Sequence, residues 1–173
     1  MMAKTSIVEG DTFRELSKLP GVLEEGTISF SFRPFPSGQE VTEPDDLCHI
    51  YILMQPASCR HPVRLLSSDG SRLPSCSTST NYISGSVMET ASTVTDVLKM
   101  LGPIQHPDKP HRLLPATNVV GKGVYALYED GNEVRLLTKL YEQEVSEYPK
   151  KTQEELGVYK TGDYRLEVKV RAT

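Results

Sequence analysis

The sequence predicts one α+β domain spanning residues 1–173, a mostly antiparallel sheet of about five to seven strands with two or three short helices. The first observation behind this is that several segments alternate apolar and polar residues with the period of two of a half-buried strand. Next, Asp130-Gly131 lies between two strand-like runs, and glycine supplies the positive φ that a tight hairpin needs. Last, helical periodicity is confined to short, scattered stretches.

Taken in order, Asp11 can cap a short helix over 12–18, which "LPG" at 19–21 stops because proline cannot continue the backbone ladder. "TISFSFR" (27–33) alternates Ile28, Phe30 and Phe32 with polar neighbours and reads as a strand. "RPFPSGQEVTEPDD" (33–46) has three prolines and no periodicity, the pattern of a loop. "HIYILMQ" (49–55) is apolar throughout and too short for a helix, so it predicts a central strand. "HPVRLL" (61–66) and "NYISGSVME" (81–89) predict two more strands. The polar stretch between them, 67–80, predicts an exposed, mobile surface loop.

"STVTDVLKMLG" switches to helical spacing, with Val94, Val97, Leu98 and Leu101 on one face. Ser92 is the candidate cap, and Gly102-Pro103 the stop. A proline-rich connector covers 103–111. The hairpin occupies 123–129 and 133–141, and Thr152 with Glu155 forms a capping box for a short helix. A final strand over 163–171 alternates Tyr164, Leu166, Val168 and Val170 with charged residues.

The stretch "LPATNVVGKGVYALYEDGNEVRLLTKLYE", followed by "QEELGVYKTGDYRLEVK", resembles small uncharacterised microbial proteins. These have a similar hairpin, a short helix and a Gly-x-Tyr strand. The resemblance implies the fold of the C-terminal third and carries no function with it.

Composition narrows the functional classes. Net charge is −4, from 19 basic and 23 acidic residues, which argues against the basic footprint of a nucleic-acid binder. No apolar run approaches the roughly 18 residues of a membrane-spanning helix, and the N-terminus lacks a secretory pattern. The expectation is a cytoplasmic protein with no nucleic-acid or membrane partner. Cys48, Cys59 and Cys76 are then reduced thiols.

Candidate chemistry is sparse. Cys48-His49, Cys59-x-His61, His106 and His111 lack the paired spacing of structural zinc, so no metal is expected. A nucleophilic Cys59 or Cys76, activated by imidazole or by Arg60 or Arg72, has no accompanying elbow motif. Gly-Lys-Gly at 121–123 opens a strand rather than a helix, which fits a bulge and not a phosphate loop. The adjacent carboxylates Glu24-Glu25, Asp45-Asp46, Glu129-Asp130 and Glu154-Glu155 read as solvated surface. Tyr51, Tyr82, Tyr125, Tyr128, Tyr141 and Tyr164 fall on strands. Placed on outer faces near His49, Arg135 and Lys139, they would suit a ligand pocket against the sheet.

These readings predict a non-catalytic binding or accessory protein that recognises a partner protein or a small ligand, with no cofactor. The alternative is a small cofactor-independent enzyme of the cyclase, isomerase or dehydratase type, working in an apolar cavity with His49, Tyr125 or Tyr141 as acid/base candidates.

Overall fold

The computed structural model describes residues 21–34, 47–68, 82–105, 113–141 and 161–170. The expected helices at 12–18 and after Thr152 lie outside them, as do Asp69, Arg72, Cys76, His106 and His111.

Within the described residues, strands β1 (Val22–Pro34), β2 (Leu47–Pro56), β3 (Val63–Ser68) and β4 (Tyr82–Ala91) run as an antiparallel meander. A helix α1 (Val94–Leu98) and a 3-10 turn (Lys99–Leu101) follow β4. A two-residue ribbon pairs β5 (Ile104–Gln105) with β6 (Leu113–Leu114). Strands β7 (Asn118–Asp130), β8 (Glu133–Leu140) and β9 (Thr161–Val170) form a second meander. The two meanders close on each other through antiparallel β1–β7 and parallel β4–β9 pairing, giving a closed barrel in the order β1-β2-β3-β4-β9-β8-β7.

This corrects the α+β expectation. Among the described residues the protein is essentially all-β, with one five-residue helix. The seven barrel strands had been anticipated, whereas β5 falls in the expected 103–111 connector and neither it nor β6 had been. Barrel closure had not been either, because it rests on pairings between segments far apart in sequence, and closure removes the sheet edges that an open α+β layer would leave to be covered.

The barrel interior explains the alternation of β1. Ile28, Phe30 and Phe32 point inward and are buried, as are Ile50, Ile52 and Met54 from β2. Tyr125, Leu136 and Tyr164 fill the opposite wall. Seven strands enclose little more than the volume of their own side chains, so this interior is a packed core. Each large side chain fully buried there contributes roughly 1.5–3 kcal/mol.

β2 is apolar on both faces for a separate reason. Its outward Tyr51 and Leu53 join Leu65 of β3 in a second cluster, which α1 and the 3-10 turn cover with Val97, Val94, Met100 and Leu101. A strand covered on both sides loses its alternation, which is why "HIYILMQ" reads as a continuous run. Leu98, expected on the buried helix face, is exposed. The helix is capped at Thr93 rather than Ser92, and the Thr93 hydroxyl bonds the Asp96 carboxylate (2.9 Å).

Arg33 secures this covering segment. It lies on the outer face of β1 and is only 1% exposed. Its guanidinium donates to the carbonyls of Met100 (2.7 Å), Gly102 (2.8 Å) and Pro115 (2.5 Å) and lies 5.6 Å from the centre of the Tyr51 ring. The 3-10 turn ends there, so its outward carbonyls meet a cation. The Thr117 amide and hydroxyl both donate to Leu101 O, at 2.8 and 3.1 Å.

The hairpin forms as expected, one residue later in register: Asp130 pairs with Glu133, leaving Gly131-Asn132 as the two-residue turn. Gly131 has φ +63° and Asn132 does not have positive φ, the pattern of a type II′ turn. The bulge expected at Gly121–Gly123 falls at Val120, where the β1–β7 register shifts. In β9, a Cβ on Gly162 would sit 2.3 Å from the Tyr164 ring, so the glycine of this Gly-x-Tyr sequence makes room for the tyrosine two residues on. Of the loop expected over 67–80, Ser67 and Ser68 belong instead to β3, with Ser68 buried, and 69–80 lie outside the described residues.

Candidate functional site

The inward parity of β1 continues upstream of Ile28 through Gly26 to Glu24, bringing a carboxylate into the barrel mouth where β1 begins and β2 ends. Glu24 was expected to be solvated; its side chain is instead 4% exposed. β3 contributes Arg64, in register with Met54 and so also turned inward. β7 contributes Tyr125, in register with Gly26 and completely buried.

These side chains converge. Arg64 Nη2 and the Tyr125 hydroxyl both donate to Glu24 Oε1. Glu24 Oε2 lies 3.4 Å from His61 Nδ1, and the His61 side chain is 44% exposed. Burial is the first cause that pushes the Tyr125 hydroxyl far above the usual phenol range, and the bond to Glu24 is the second. Tyr125 is therefore a neutral donor at any physiological pH. It braces the carboxylate from below and does not reach solvent.

The β2–β3 connection supplies the rim. His61 N donates to Ser58 O (3.3 Å), Arg60 N to Ser58 Oγ (3.3 Å) and Ala57 N to Glu25 O (2.8 Å), which ties the turn to β1. An open cleft of about 410 Å³ lies here, lined by Val22, Leu23, Glu24, Glu25, Ala57, Ser58 and His61. That volume suits a small molecule. Glu25 Oε2 is buried without a hydrogen-bond partner. Its lining mixes aliphatic residues with acidic ones and a histidine.

The expected site residues are not brought together. Tyr125 is at the mouth. His49 lies in β2 opposite Arg33, nine residues along β1 from Glu24, or roughly 30 Å at 3.3 Å per residue; its side chain is outside those described. Tyr141 follows β8 on the outer face, packed against Val124 and Ala126. The outer-face placement of the tyrosines is corrected for Tyr125 and Tyr164, which are interior, and for Tyr51, which is buried beneath α1. The side chain of Tyr82 is outside those described.

A second polar group lies on the outer face of β7–β9. The Tyr128 hydroxyl donates to Asp163 (3.0 and 3.1 Å), Arg135 Nε donates to Asp163 Oδ1 (2.9 Å), and Arg165 pairs with Glu133 (3.1 Å). Burial, then the bond to Asp163, raises the Tyr128 pKa. The opposite charges are matched within this group, so it reads as a surface ion-pair network.

Cys59 is free and exposed. Among the described residues no group of three or more His, Cys, Asp or Glu is placed to hold a metal ion, and no helix is long and apolar enough to cross a membrane.

Sequence reasoning missed Glu24, Arg64 and His61 as a group. The signal available was the period of two in "EEGTISFSF": extended N-terminally from Ile28, it places Glu24 and not Glu25 inside. Compared with protein families, curated proteins and solved structures, the chain matches none, so the site rests on its own geometry.

Proposed function

We propose that this protein is a non-catalytic binding module that seats a small ligand at the barrel mouth, in the cleft bordered by Glu24, Glu25 and His61. The observation that carries this reading is a buried carboxylate, Glu24, fixed by Arg64 and Tyr125 on one oxygen, with its other oxygen 3.4 Å from His61, and with Glu24 and His61 both lining the cleft. A preorganised polar group beside an aliphatic wall is the usual composition of a ligand site. The packed barrel interior leaves the mouth as the place where a ligand can be received.

The test is a fragment screen followed by amide NMR. Hits should shift the amides of residues 22–25 and 57–61 saturably and come back chemically unchanged. Hits confined to other parts of the barrel would sink the reading.

A second reading, a cofactor-independent enzyme of the cyclase, isomerase or dehydratase type, is favoured by one contact. Glu24 Oε2 near His61 Nδ1 is the arrangement in which a carboxylate orients an imidazole, so that its other nitrogen can exchange a proton with a bound molecule. Conversion of a mouth-bound hit by the native protein, abolished in His61→Gln, would establish it.

A further inference from the structure

We propose that the β2–β3 turn is a proton-operated latch on the barrel mouth: a protonated His61 draws the turn onto Glu24, and a neutral His61 lets it go. The latch borders the cleft of the binding reading, and its test needs no ligand. The cleft lies between the start of β1 (Val22, Leu23, Glu24, Glu25) and the turn (Ala57, Ser58, His61). At its β2 end the turn is tied to β1 by the bond from Ala57 N to Glu25 O (2.8 Å). The bonds donated by Arg60 N and His61 N both return to Ser58, within the turn itself. The far end of the turn reaches β1 through the His61 ring, whose Nδ1 lies 3.4 Å from Glu24 Oε2.

The two sides of that contact differ in what pH does to them. Glu24 is fixed in place, because Arg64 and Tyr125 both donate to its Oε1. Arginine stays charged at any pH a protein meets, and burial holds the Tyr125 hydroxyl neutral. His61 is half-exposed and belongs to a turn. Imidazole is the side chain that ordinarily changes charge between pH 5 and 8. Neutral, it offers one N–H and one bare nitrogen; protonated, both nitrogens donate and the ring carries a charge opposite to that of Glu24. The 3.4 Å separation leaves room to shorten toward the roughly 2.7–2.9 Å of a charge-assisted bond.

Among the described residues, the other charged or titratable groups around the ring are Glu25 from β1, Arg64 from β3, and Cys59 and Arg60 in the turn. Arg60 and Arg64 disfavour a further positive charge, and Glu25 favours it. Glu24 is the group in contact, and Coulomb attraction falls with distance, so Glu24 sets the sign.

The experiment compares the native protein at pH 8 and pH 5 by NMR, reading backbone amide relaxation, the His61 ring nitrogens and the Glu24 carboxyl carbon. At pH 5 the amides of residues 58–61 should show order parameters near the roughly 0.85 of rigid backbone, and at pH 8 they should fall toward about 0.6. The Glu24 carboxyl signal should move in the same pH step as the ring. His61→Gln, at an exposed position, should give the same turn order at both pH values. Glu24→Gln should let the ring titrate while the turn no longer responds; where that variant disturbs the fold, the Glu24 carboxyl signal of the native protein makes the same test. A ring that titrates in the native protein with turn order and Glu24 unchanged would overturn the latch, as would an equal response in His61→Gln, and either result leaves the binding reading standing. Fragment hits confined to other parts of the barrel would remove the binding reading and leave the latch intact.

Discussion

Among the described residues Arg33 is buried and Arg64 half-buried, and their surroundings differ in a way that separates a structural device from a candidate site. Arg33, on the outer face of β1, donates to three backbone carbonyls and is sealed beneath the α1 segment. Its partners are dipoles already committed to the fold. Arg64, inside the mouth, is paired with Glu24, a residue that lines an open cleft and whose second oxygen lies 3.4 Å from the half-exposed His61. The cation at Arg33 is sealed in, whereas the ion pair at Arg64 stands beside an opening. A charged group drawn into the fold is common to both; an adjoining cleft is found at the mouth, and that is what points to a ligand.

The largest expected effect tests the structural arginine. Arg33→Met keeps an aliphatic side chain in place but leaves the carbonyls of Met100, Gly102 and Pro115 without their donor. We expect a loss of about 3–5 kcal/mol in urea unfolding, since each of the three carbonyls left without its donor costs roughly 1–3 kcal/mol before the segment relaxes. The amides of α1 and the 3-10 turn should lose exchange protection first. A loss below about 1 kcal/mol would mean that the carbonyls turn to water and that Arg33 is not a clamp.

The counterpart at the mouth should cost less. Arg64→Met strands Glu24, yet that residue borders an open cleft and keeps the Tyr125 donor. A loss of about 2–3 kcal/mol is expected, most of it recovered by adding Glu24→Gln, because the variant's cost is the unpaired charge rather than lost packing. Equal losses for the single and double variants in denaturant titrations would show that Arg64 acts through its aliphatic stem.

The same contrast shows how much was legible in the sequence. The hairpin was, because Gly131 and the flanking alternation are local signals and the turn depends on little else. β1 and β9 were, for the same reason. Closure was not: the β4–β9 and β1–β7 pairings join segments roughly 80–100 residues apart, and alternation gives a strand's faces but not its neighbour. Arg33 was correctly assigned to the outer face by parity, yet its burial depends on a covering segment 67–82 residues away. Glu24 was half-legible. Its parity was present in the sequence, but pairing with Glu25 made it look like solvated surface, and only closure brings Arg64 and Tyr125 within reach.

Tyr125 sharpens the account of the mouth through pH. A phenol's ordinary pKa is about 10, and the folded protein raises it, so folding favours the protonated form. That contribution is complete below about pH 10 and is lost as pH climbs from there toward the folded value. Tyr128 is shifted in the same direction and contributes in the same sense. Tyr125→Phe should cost about 1–2 kcal/mol at neutral pH, the worth of one hydrogen bond to a charged acceptor. It should also flatten the decline in stability above about pH 10 without abolishing it, since Tyr128 remains. An unchanged alkaline slope in urea titrations would show that Tyr125 is not the group responsible.

The smallest effect tests Glu25, which follows Glu24 in the chain but leaves β1 on its opposite face, in register with Ala126 rather than with the inward Leu127. If Glu25 were there to hold the fold, neutralising it would destabilise the protein. Its Oε2 is buried and makes no bond, so the charge costs free energy. Glu25→Gln preserves shape and removes that charge, and should leave stability unchanged or raise it by up to about 1 kcal/mol. Thermal unfolding of the native protein and the variant measures this, and the variant should melt at the same temperature or higher. A variant that melts lower would place Glu25 among the structural residues with Arg33, and the rim of the mouth would then be scaffold as well.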